Sequence, residues 1–336
     1  MQAPDKAEKT SMALISYREA LNQALHEEMR RNEKVIVFGE DVALYEGSFK
    51  VTRGLLKEFG EERVFDTPIS EAAIIGTATG MALAGMRPVA ELMTVNFAFV
   101  ALDQICNHLA LMRYMFGGQV TLPVTVRMPG GGGHQLGSQH SHSLEVFFAH
   151  TPGLIVVYPS NPADAKALLK ASIRDDNPVI FLEHEGMYNS EGEVPEGEFV
   201  GEIGKAAVVR RGKDVTLVAY GGMTAVALEA AEQLAGLGVQ AEVVDLRTLR
   251  PWDKETVTDS VCRTHHAVVV EECPPVCGIA AEVATNIYEI CFDALDAPVG
   301  RVSGADCPLP YARNLEQACI PHPPAVVAAV QRALNL

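Results

Sequence analysis

Short apolar runs alternate with longer amphipathic or small-residue segments along the first half of the chain. The runs are rich in Val and Ile, which is typical of strands buried on both faces. They predict strands at 35–38, 88–93, 123–127, 154–157 and 178–182. The segments between them predict helices at 16–31, 52–59, 71–85, 97–114 and 162–174. Strands that alternate with helices in this way indicate a parallel sheet covered by helices on both faces.

An acidic stretch interrupts this alternation at 189–205, where five glutamates precede the first basic residue, Lys205. A second alternation follows it. Strands are predicted at 215–219, 241–246, 267–271 and 298–302, and helices at 224–235, 254–262, 278–290 and 324–334. The pattern therefore predicts an α/β fold with two parallel-sheet domains. Their bounds are a disordered tail at 1–12, a first domain at 13–188, an acidic linker at 189–205 and a second domain at 206–336.

Composition narrows the function classes. The chain has 336 residues, 48% of them hydrophobic, and a net charge of −16, which argues against nucleic acid as a partner. No apolar run reaches about 18 residues, so no membrane span is expected. The N-terminal stretch has no apolar core and no Arg, so it supports neither a secretory nor an organelle-targeting signal. Seven cysteines, an odd number, favour a reducing compartment, and we expect a cytoplasmic, bacterial protein.

An acidic residue stands at the entrance of the most apolar predicted helix. Residues 66–70 have the composition of a turn, and Glu71 then opens a run that is apolar almost all round. A carboxylate placed there is costly to keep charged without a partner. Either Glu71 is a first-turn acid favoured by the helix dipole, or it faces a ligand that uses it.

A glycine-rich loop at 130–142 follows the predicted strand at 123–127 and holds five glycines within eight residues. It therefore lies at the carboxyl edge of the sheet, where open α/β sheets bind ligands. Its three histidines are His134, His140 and His142. A zinc site, an acid, base or hydrogen-bonding role towards a ligand, and a solvent-facing structural role all remain open for them. Cys273 and Cys277 form a C-x₃-C pair with no second pair nearby, so either a metal or redox role or two unremarkable thiols fits them.

The chain lacks a phosphate anchor of its own. It contains no G-x-x-x-x-G-K-[ST] motif, no G-x-G-x-x-G after a strand, and no Gly-Asp-Gly followed by an Asn some 25 to 30 residues later. A loop and a carboxylate that suggest a site, without an anchor, indicate a site shared with another subunit.

Six motifs in order resemble the beta subunits of thiamine-diphosphate-dependent 2-oxo acid dehydrogenases. The resemblance covers about residues 14–334, nearly the whole chain. The motifs are Gly39-Glu40-Asp41-Val42, Asp66-Thr67-Pro68-Ile69-Ser70-Glu71, Gly85-Met86-Arg87-Pro88, Gln139-His140-Ser141, Ile173-Arg174-Asp175-Asp176-Asn177-Pro178 and Val270-Glu271-Glu272.

This resemblance implies a transketolase-like pyrimidine-binding domain followed by a transketolase C-terminal domain. It also implies an α₂β₂ tetramer in which the alpha subunit holds Mg²⁺ and the diphosphate of thiamine diphosphate. The expected partners include a dihydrolipoamide acyltransferase core, with its lipoyl domain as acyl acceptor. Pyruvate is the expected substrate, with branched-chain 2-oxo acids or acetoin as alternatives. A non-catalytic interaction subunit and a stand-alone transketolase-like enzyme are the alternatives from other classes.

Residue roles follow from the resemblance alone. Glu71 matches the glutamate that hydrogen-bonds N1′ of the aminopyrimidine and so promotes loss of the thiazolium C2 proton. Phe97 matches an aromatic that packs on the pyrimidine ring, and His140 a histidine on the substrate side. Glu40 matches an acid in a polar channel between paired sites, and Asp103 is a weaker candidate for that channel.

The family also binds a structural K⁺ through backbone oxygens near a helix end. The matching positions here are Val124, Ser172, Asp175 and Asn177, and orphan carbonyls at a helix C-terminus suit a cation. The chain departs from the family at two positions of the loop, His134 and His142, which border the expected substrate. These departures bear on which 2-oxo acid is accepted as substrate and on the motion of the loop. They leave the assignment of Glu71 unchanged.

Overall fold

The computed structural model describes residues 11–336. Most of the predicted tail, residues 1–10, lies outside the described residues. The remainder of that prediction is wrong, because Met12 already belongs to a strand that pairs with Pro195.

The first domain carries eight strands and six α-helices. They are β1 (Met12–Ser16), α1 (Tyr17–Arg31), β2 (Val35–Gly39), α2 (Leu55–Phe59), β3 (Val64–Asp66), α3 (Glu71–Leu83), β4 (Arg87–Glu91), α4 (Met112–Met115), β5 (Thr125–Gly130), α5 (Glu145–His150), β6 (Ile155–Val157), α6 (Pro162–Arg174), β7 (Val179–His184) and β8 (Glu191–Pro195). Three short helical turns of 3₁₀ or π type lie at Val95–Ala101, Gln104–Leu109 and Glu185–Met187.

The second domain carries six strands and five α-helices. They are β9 (Ala207–Arg210), β10 (Val215–Ala219), α7 (Met223–Gly236), β11 (Ala241–Asp245), β12 (Thr248–Arg250), α8 (Lys254–Thr264), β13 (Ala267–Val270), α9 (Ile279–Cys291), β14 (Gly300–Val302), α10 (Arg313–Cys319) and α11 (Pro323–Leu334). A short 3₁₀ turn at Phe292–Ala294 follows α9.

The larger sheet has seven strands in the order β12-β6-β7-β5-β4-β2-β3. All its pairings are parallel except that of β12, which comes from the second domain and runs antiparallel to β6. The smaller sheet has the order β14-β13-β10-β11-β9, and only β9 is antiparallel to its neighbour. The alternation predicted from the sequence is thus two parallel sheets, each with an antiparallel strand at one edge.

The apolar core forms three clusters. One face of the larger sheet packs on α1 and α6 through residues such as Leu21 and Leu168. Its other face packs on α3, and this cluster continues into the second domain through Val218 and Val283. The far face of the smaller sheet packs on α7 and α11. The two domains therefore share one continuous core at their contact.

Two expectations need correction. The helix predicted at 97–114 is broken into a 3₁₀ turn, a π turn and the short α4. Aromatic and β-branched residues such as Phe97 and Val100 lower helix propensity at its start. The acidic stretch is not an extended linker throughout either, because its residues 191–195 form β8, which pairs with β1. Glu198 also accepts hydrogen bonds from Lys170 and Arg174 of α6, so its negative charge is paired with basic residues of the first domain.

Within residues 11–336, no single helix is both long and apolar enough to cross a bilayer. One pair, Val95–Ala101 with Gln104–Met115, passes only when joined across a 71° bend.

Candidate active site

The candidate residues follow the carboxyl ends of four adjacent strands. Glu40 follows β2, Glu71 opens α3 after β3, Phe97 lies in the turn after β4, and His140 lies in the loop after β5. These strands neighbour one another in the order β5-β4-β2-β3 and run parallel, so their carboxyl ends share one edge of the sheet. Chain topology alone thus places the four side chains along that edge.

Glu71 is the first residue of α3 and is only 7% exposed. The Ser70 side chain does not cap this helix, and no hydrogen bond or ion pair to the Glu71 carboxylate is found within residues 11–336. Burial, and then the nearby charges of Glu71 and Asp41, raise the pKa of Glu40. The charge of Glu71 is therefore felt at Glu40, and both carboxylates stand at this edge of the sheet.

The turn before Glu71 is fixed by Asp66. Its carboxylate accepts the backbone N–H of Ala43 at 2.7 Å and that of Leu44 at 3.1 Å. The Thr67 N–H donates to the Gly39 carbonyl at 2.8 Å. These bonds tie the segment after β3 to the segment after β2, and they hold Glu71 beside Glu40.

Phe97 and His140 are brought together across the site. Their rings meet edge to face with centroids 5.5 Å apart. Phe97 is half-buried, and His140 is exposed. The structure thus joins the candidates as two pairs, Glu40 with Glu71 and Phe97 with His140. It records no contact between one pair and the other in the part of the chain it describes.

His142, one of the two departures from the family pattern, ties the loop to the turn that carries Phe97. Its Nδ1 hydrogen-bonds the Asn96 amide. Its ring also meets Phe99 edge to face at 5.8 Å. Burial lowers the pKa of His142, so the neutral ring is favoured. His134, the other departure, is exposed.

The second domain holds the glycine-rich loop through two carboxylates. Glu272, just after β13, accepts the Gly132 N–H at 2.7 Å and the Ser143 hydroxyl at 3.2 Å. Glu316 of α10 is fully buried and accepts the N–H groups of Gly133 and Gln135 at 3.0 to 3.1 Å. Backbone amides that would otherwise be unpaired are thereby satisfied by charge-assisted bonds.

His184 completes this support from β7. Its Nε2 donates to the second oxygen of Glu272 at 2.7 Å, while its Nδ1 accepts the Gly186 N–H at 3.1 Å. Burial alone would raise the pKa of Glu272, but His184 and the donors of Gly132 and Ser143 hold it below the ordinary value. Glu272 therefore stays charged and keeps its hydrogen bonds to Gly132 and Ser143.

Two glycines show why this loop needs its composition. Gly131 has φ +91°, and a Cβ there would lie 2.6 Å from His184 Nε2. A Cβ on Gly132 would lie 2.8 Å from Leu309 and 2.9 Å from Ile320. The loop backbone is thus pressed directly against the second domain, as only glycine allows.

Sequence reasoning missed Glu316 and His184 as supports of this loop, and it noted Glu272 only inside a motif. The one local signal was the position of Glu272 just after a predicted strand, where functional side chains collect. Nothing in the sequence near Glu316 marks it, since its partners lie about 180 residues earlier.

Asp103 lies outside this arrangement. Its carboxylate is largely exposed and hydrogen-bonds Asn107 at 2.8 Å and Gln104 at 3.3 Å on its own helical segment. Cys273 is buried and Cys277 exposed, and burial raises the pKa of the Cys273 thiol strongly. No group of three or more His, Cys, Asp or Glu suited to a metal occurs within residues 11–336.

The positions suggested for K⁺ lie together at the end of α6. The Ser172 carbonyl accepts the Asp175 N–H at 3.3 Å, and the Val124 carbonyl accepts a bond from β7 at 2.8 Å. The Asp175 carbonyl accepts the Arg87 guanidinium at 3.1 Å. Each of these three carbonyls keeps a second lone pair, and the Arg87 guanidinium already supplies positive charge beside Asp175.

Two buried hydroxyls in the motifs fit a polar ligand. Thr67 Oγ1 and Ser141 Oγ have no hydrogen-bond partner in the described structure. Buried polar atoms without partners require an explanation, and a bound group that supplies donors and acceptors is one. Both hydroxyls belong to the motifs that carry site candidates, Thr67 with Glu71 and Ser141 with His140.

Family comparisons agree with this two-domain arrangement. Residues 13–191 match the model described as the transketolase pyrimidine binding domain, and residues 204–326 match that of the transketolase C-terminal domain. A solved structure described as a split-gene transketolase, an inactive beta4 tetramer, matches with a TM-score of 0.77 at 29% identity. That match covers 96% of this chain and 99% of the other. The predicted transketolase-type α/β fold is confirmed.

Full-length relatives then give the family. The pyruvate dehydrogenase E1 component subunit beta of Rhizobium meliloti (strain 1021) is 50% identical over 96% of this chain and 70% of its own length. The mitochondrial subunits beta of Caenorhabditis elegans and Bos taurus are 47% and 44% identical, each over 96% of this chain, and cover 93% and 91% of their own lengths. The chain belongs to the family of pyruvate dehydrogenase E1 beta subunits.

Proposed function

We propose that this chain supplies the pyrimidine-side half of a pyruvate dehydrogenase active site. With an alpha subunit in an α₂β₂ tetramer, it takes part in the thiamine-diphosphate-dependent oxidative decarboxylation of pyruvate. The acetyl group then passes to the lipoyl domain of a dihydrolipoamide acetyltransferase. The observation that carries this proposal is the placement of Glu40, Glu71, Phe97 and His140 along one sheet edge.

Glu71 is proposed to share a proton with N1′ of the aminopyrimidine. Its burial keeps water away and strengthens a hydrogen bond to a ring nitrogen. Thiamine diphosphate supplies the electron sink that makes loss of the carboxyl group feasible.

Phe97 and His140 are assigned to the other side of the ring and to the substrate. The edge-to-face contact leaves one face of Phe97 for a flat ring and fixes the His140 imidazole beside it. An exposed imidazole in this position can donate a proton or a hydrogen bond to a 2-oxo acid.

The alpha subunit is proposed to hold Mg²⁺ and the diphosphate. K⁺ is proposed at the backbone oxygens of Val124, Ser172, Asp175 and Asn177. A cytoplasmic location stays a prediction from the sequence.

The test is Glu71→Gln in the enzyme assembled with its alpha subunit. General acid–base groups contribute about 10² to 10⁴ in rate, so exchange of the thiazolium C2 proton should slow by about that factor. The readouts are C2 exchange by NMR and pyruvate turnover, with 2-oxoisovalerate and acetoin as competing substrates. Glu61→Gln, which makes the same change at an exposed carboxylate outside the site, is the matched control. Unchanged C2 exchange in Glu71→Gln would refute the assignment.

A further inference from the structure

Two thiols face each other at the base of a segment that supports the glycine-rich loop. The sulfur atoms of Cys307 and Cys319 lie 3.6 Å apart. Cys307 is exposed and Cys319 is half-buried. A disulfide bond is about 2.05 Å long, so a small rotation of these side chains would bring the sulfurs to bonding distance.

The backbone already holds the two thiols together. We call residues 305–320 the strap. The Ala305 N–H donates to the Cys319 carbonyl at 2.8 Å, and this bond closes the neck of the strap. A cross-link at the neck therefore joins chain segments that are neighbours in the folded state, and it needs no rearrangement of the domain.

The strap is the part of the second domain that presses on the loop. Its Glu316 holds the amides of Gly133 and Gln135, as described above. Leu309 and Ile320 lie against Gly132. A change in the mobility of the strap should therefore change the mobility of the loop that carries His140.

A cavity of about 310 Å³ opens between the loop and the strap. Both thiols line it, together with Ser138 and Ser141 of the loop and the exposed Cys277. A small molecule that reacts with thiols can therefore approach the two cysteines from the side that faces the loop.

We propose that Cys307 and Cys319 are a redox modification site that forms a reversible disulfide by exchange with a low-molecular-weight disulfide and so ties down the strap. The Cys307 thiolate attacks one sulfur of the small disulfide, and one small thiolate leaves. The Cys319 thiolate then attacks the Cys307 sulfur and expels the second. Two protein thiols are oxidised and lose their protons, and one small disulfide is reduced to two thiols.

The order of attack follows from exposure. Cys307 is the accessible thiol. Burial, and then the hydrogen bond with Cys307, raise the pKa of the Cys319 thiol, so less of it is thiolate. Cys307 is the attacking thiol and Cys319 the resolving one. This inference concerns a covalent site and stands apart from the proposed catalytic function.

The test uses the assembled enzyme treated with oxidised glutathione and digested with trypsin without reduction. Trypsin cuts after Arg301, Arg313 and Arg332, so the two thiols fall on separate peptides, 302–313 and 314–332. Mass spectrometry should find these peptides joined, with two hydrogens fewer than their sum, and reduction should separate them. Absence of the joined peptide in the wild-type enzyme overturns the proposal.

Variants of single cysteines distinguish the attacking thiol from the resolving thiol. Cys319→Ser should trap glutathione on peptide 302–313, because the resolving thiol is gone. Cys307→Ser should leave peptide 314–332 unmodified. Glutathione found on Cys319 in that variant contradicts the order of attack. The control is Cys262→Ser, which removes a different thiol pair, with Cys291 at 3.4 Å, and should leave the joined peptide intact.

A second readout tests the mechanical consequence. Hydrogen exchange of peptides covering 130–142 should slow in the oxidised enzyme and return to its starting rate on reduction. The same change should occur in Cys262→Ser and be lost in Cys319→Ser. Equal exchange in oxidised and reduced wild-type enzyme refutes the claim that the disulfide ties down the strap.

Discussion

A buried arginine joins three strands just beneath the candidate site, and its removal gives a pH-dependent prediction. Arg127 of β5 is 1% exposed. It binds Glu183 of β7 with two hydrogen bonds of 2.7 and 2.8 Å, and Glu91 of β4 with one of 2.6 Å. The Tyr188 hydroxyl adds a fourth bond, to Glu183, at 2.6 Å. Replacing Arg127 by Met keeps most of the volume but leaves these carboxylates without their cation.

The cost follows from the burial. Glu183 is fully buried, so loss of Arg127 leaves a carboxylate inside the fold without its cation. Removing one partner of a buried ion pair costs about 3 to 5 kcal/mol. Arg127→Met should lose about that much unfolding free energy at pH 7.

The pH dependence distinguishes this cause from simple loss of packing. Burial raises the pKa of Glu91, and Arg127 opposes this increase. Without Arg127 the folded pKa of Glu91 rises further above its unfolded value, so the loss of stability grows as the pH rises through that range. Arg127→Met should therefore lose more unfolding free energy at pH 7 than at pH 5.

Urea unfolding followed by circular dichroism at the two pH values measures this difference. The control is the double variant Arg127→Met with Glu91→Gln, whose neutral amide removes the Glu91 titration. The difference between its deficits at the two pH values should be smaller than that of Arg127→Met. An Arg127→Met deficit that does not change between pH 7 and pH 5, or one below about 1 kcal/mol at pH 7, refutes the reasoning.

Three further predictions concern other buried polar groups. Burial raises the pKa of Asp245 to about 7, so its contribution to stability is present at low pH and lost as the pH rises from about 4 to 7. Asp245→Asn should make the slope of unfolding free energy against pH shallower by up to about 1.4 kcal/mol per unit, and an unchanged slope contradicts this. Gly131→Ala should cost more than about 1 kcal/mol and lower the melting temperature, because its φ of +91° and the contact with His184 exclude a Cβ. Glu316→Gln should weaken the hold on the glycine-rich loop by about 1 kcal/mol, seen as about fivefold faster amide exchange there, whereas the exposed control Glu289→Gln should change nothing.

Much of the fold follows from local pattern. Buried parallel strands are short, continuous and β-branched, so runs such as 35–38 and 178–182 stand out from the helices between them. Parallel strands separated by helices must also carry their carboxyl ends to one edge. The sequence therefore predicts that the glycine-rich loop with His140 lies at this edge, whereas the three-residue strand β3 that precedes Glu71 was not predicted.

Non-local contacts could not be predicted in the same way. Strand β12 leaves the second domain and extends the first sheet beside β6, about 90 residues away in sequence. The pairing of β1 with β8 converts a presumed linker into structure because each supplies the backbone partner of the other. Neither strand is distinctive alone, since an edge strand of a few residues has almost no pattern of its own.

The contacts across the domain boundary change what the second domain does. In the structure, the half-buried Glu272 and the buried Glu316 accept hydrogen bonds from amides of the glycine-rich loop where the two domains meet. Since His140 belongs to that loop, its position depends on carboxylates more than 130 residues away in sequence. A site whose acid lies on the first domain and whose loop is held by the second must lose its geometry whenever the two domains part, even if each keeps its own fold.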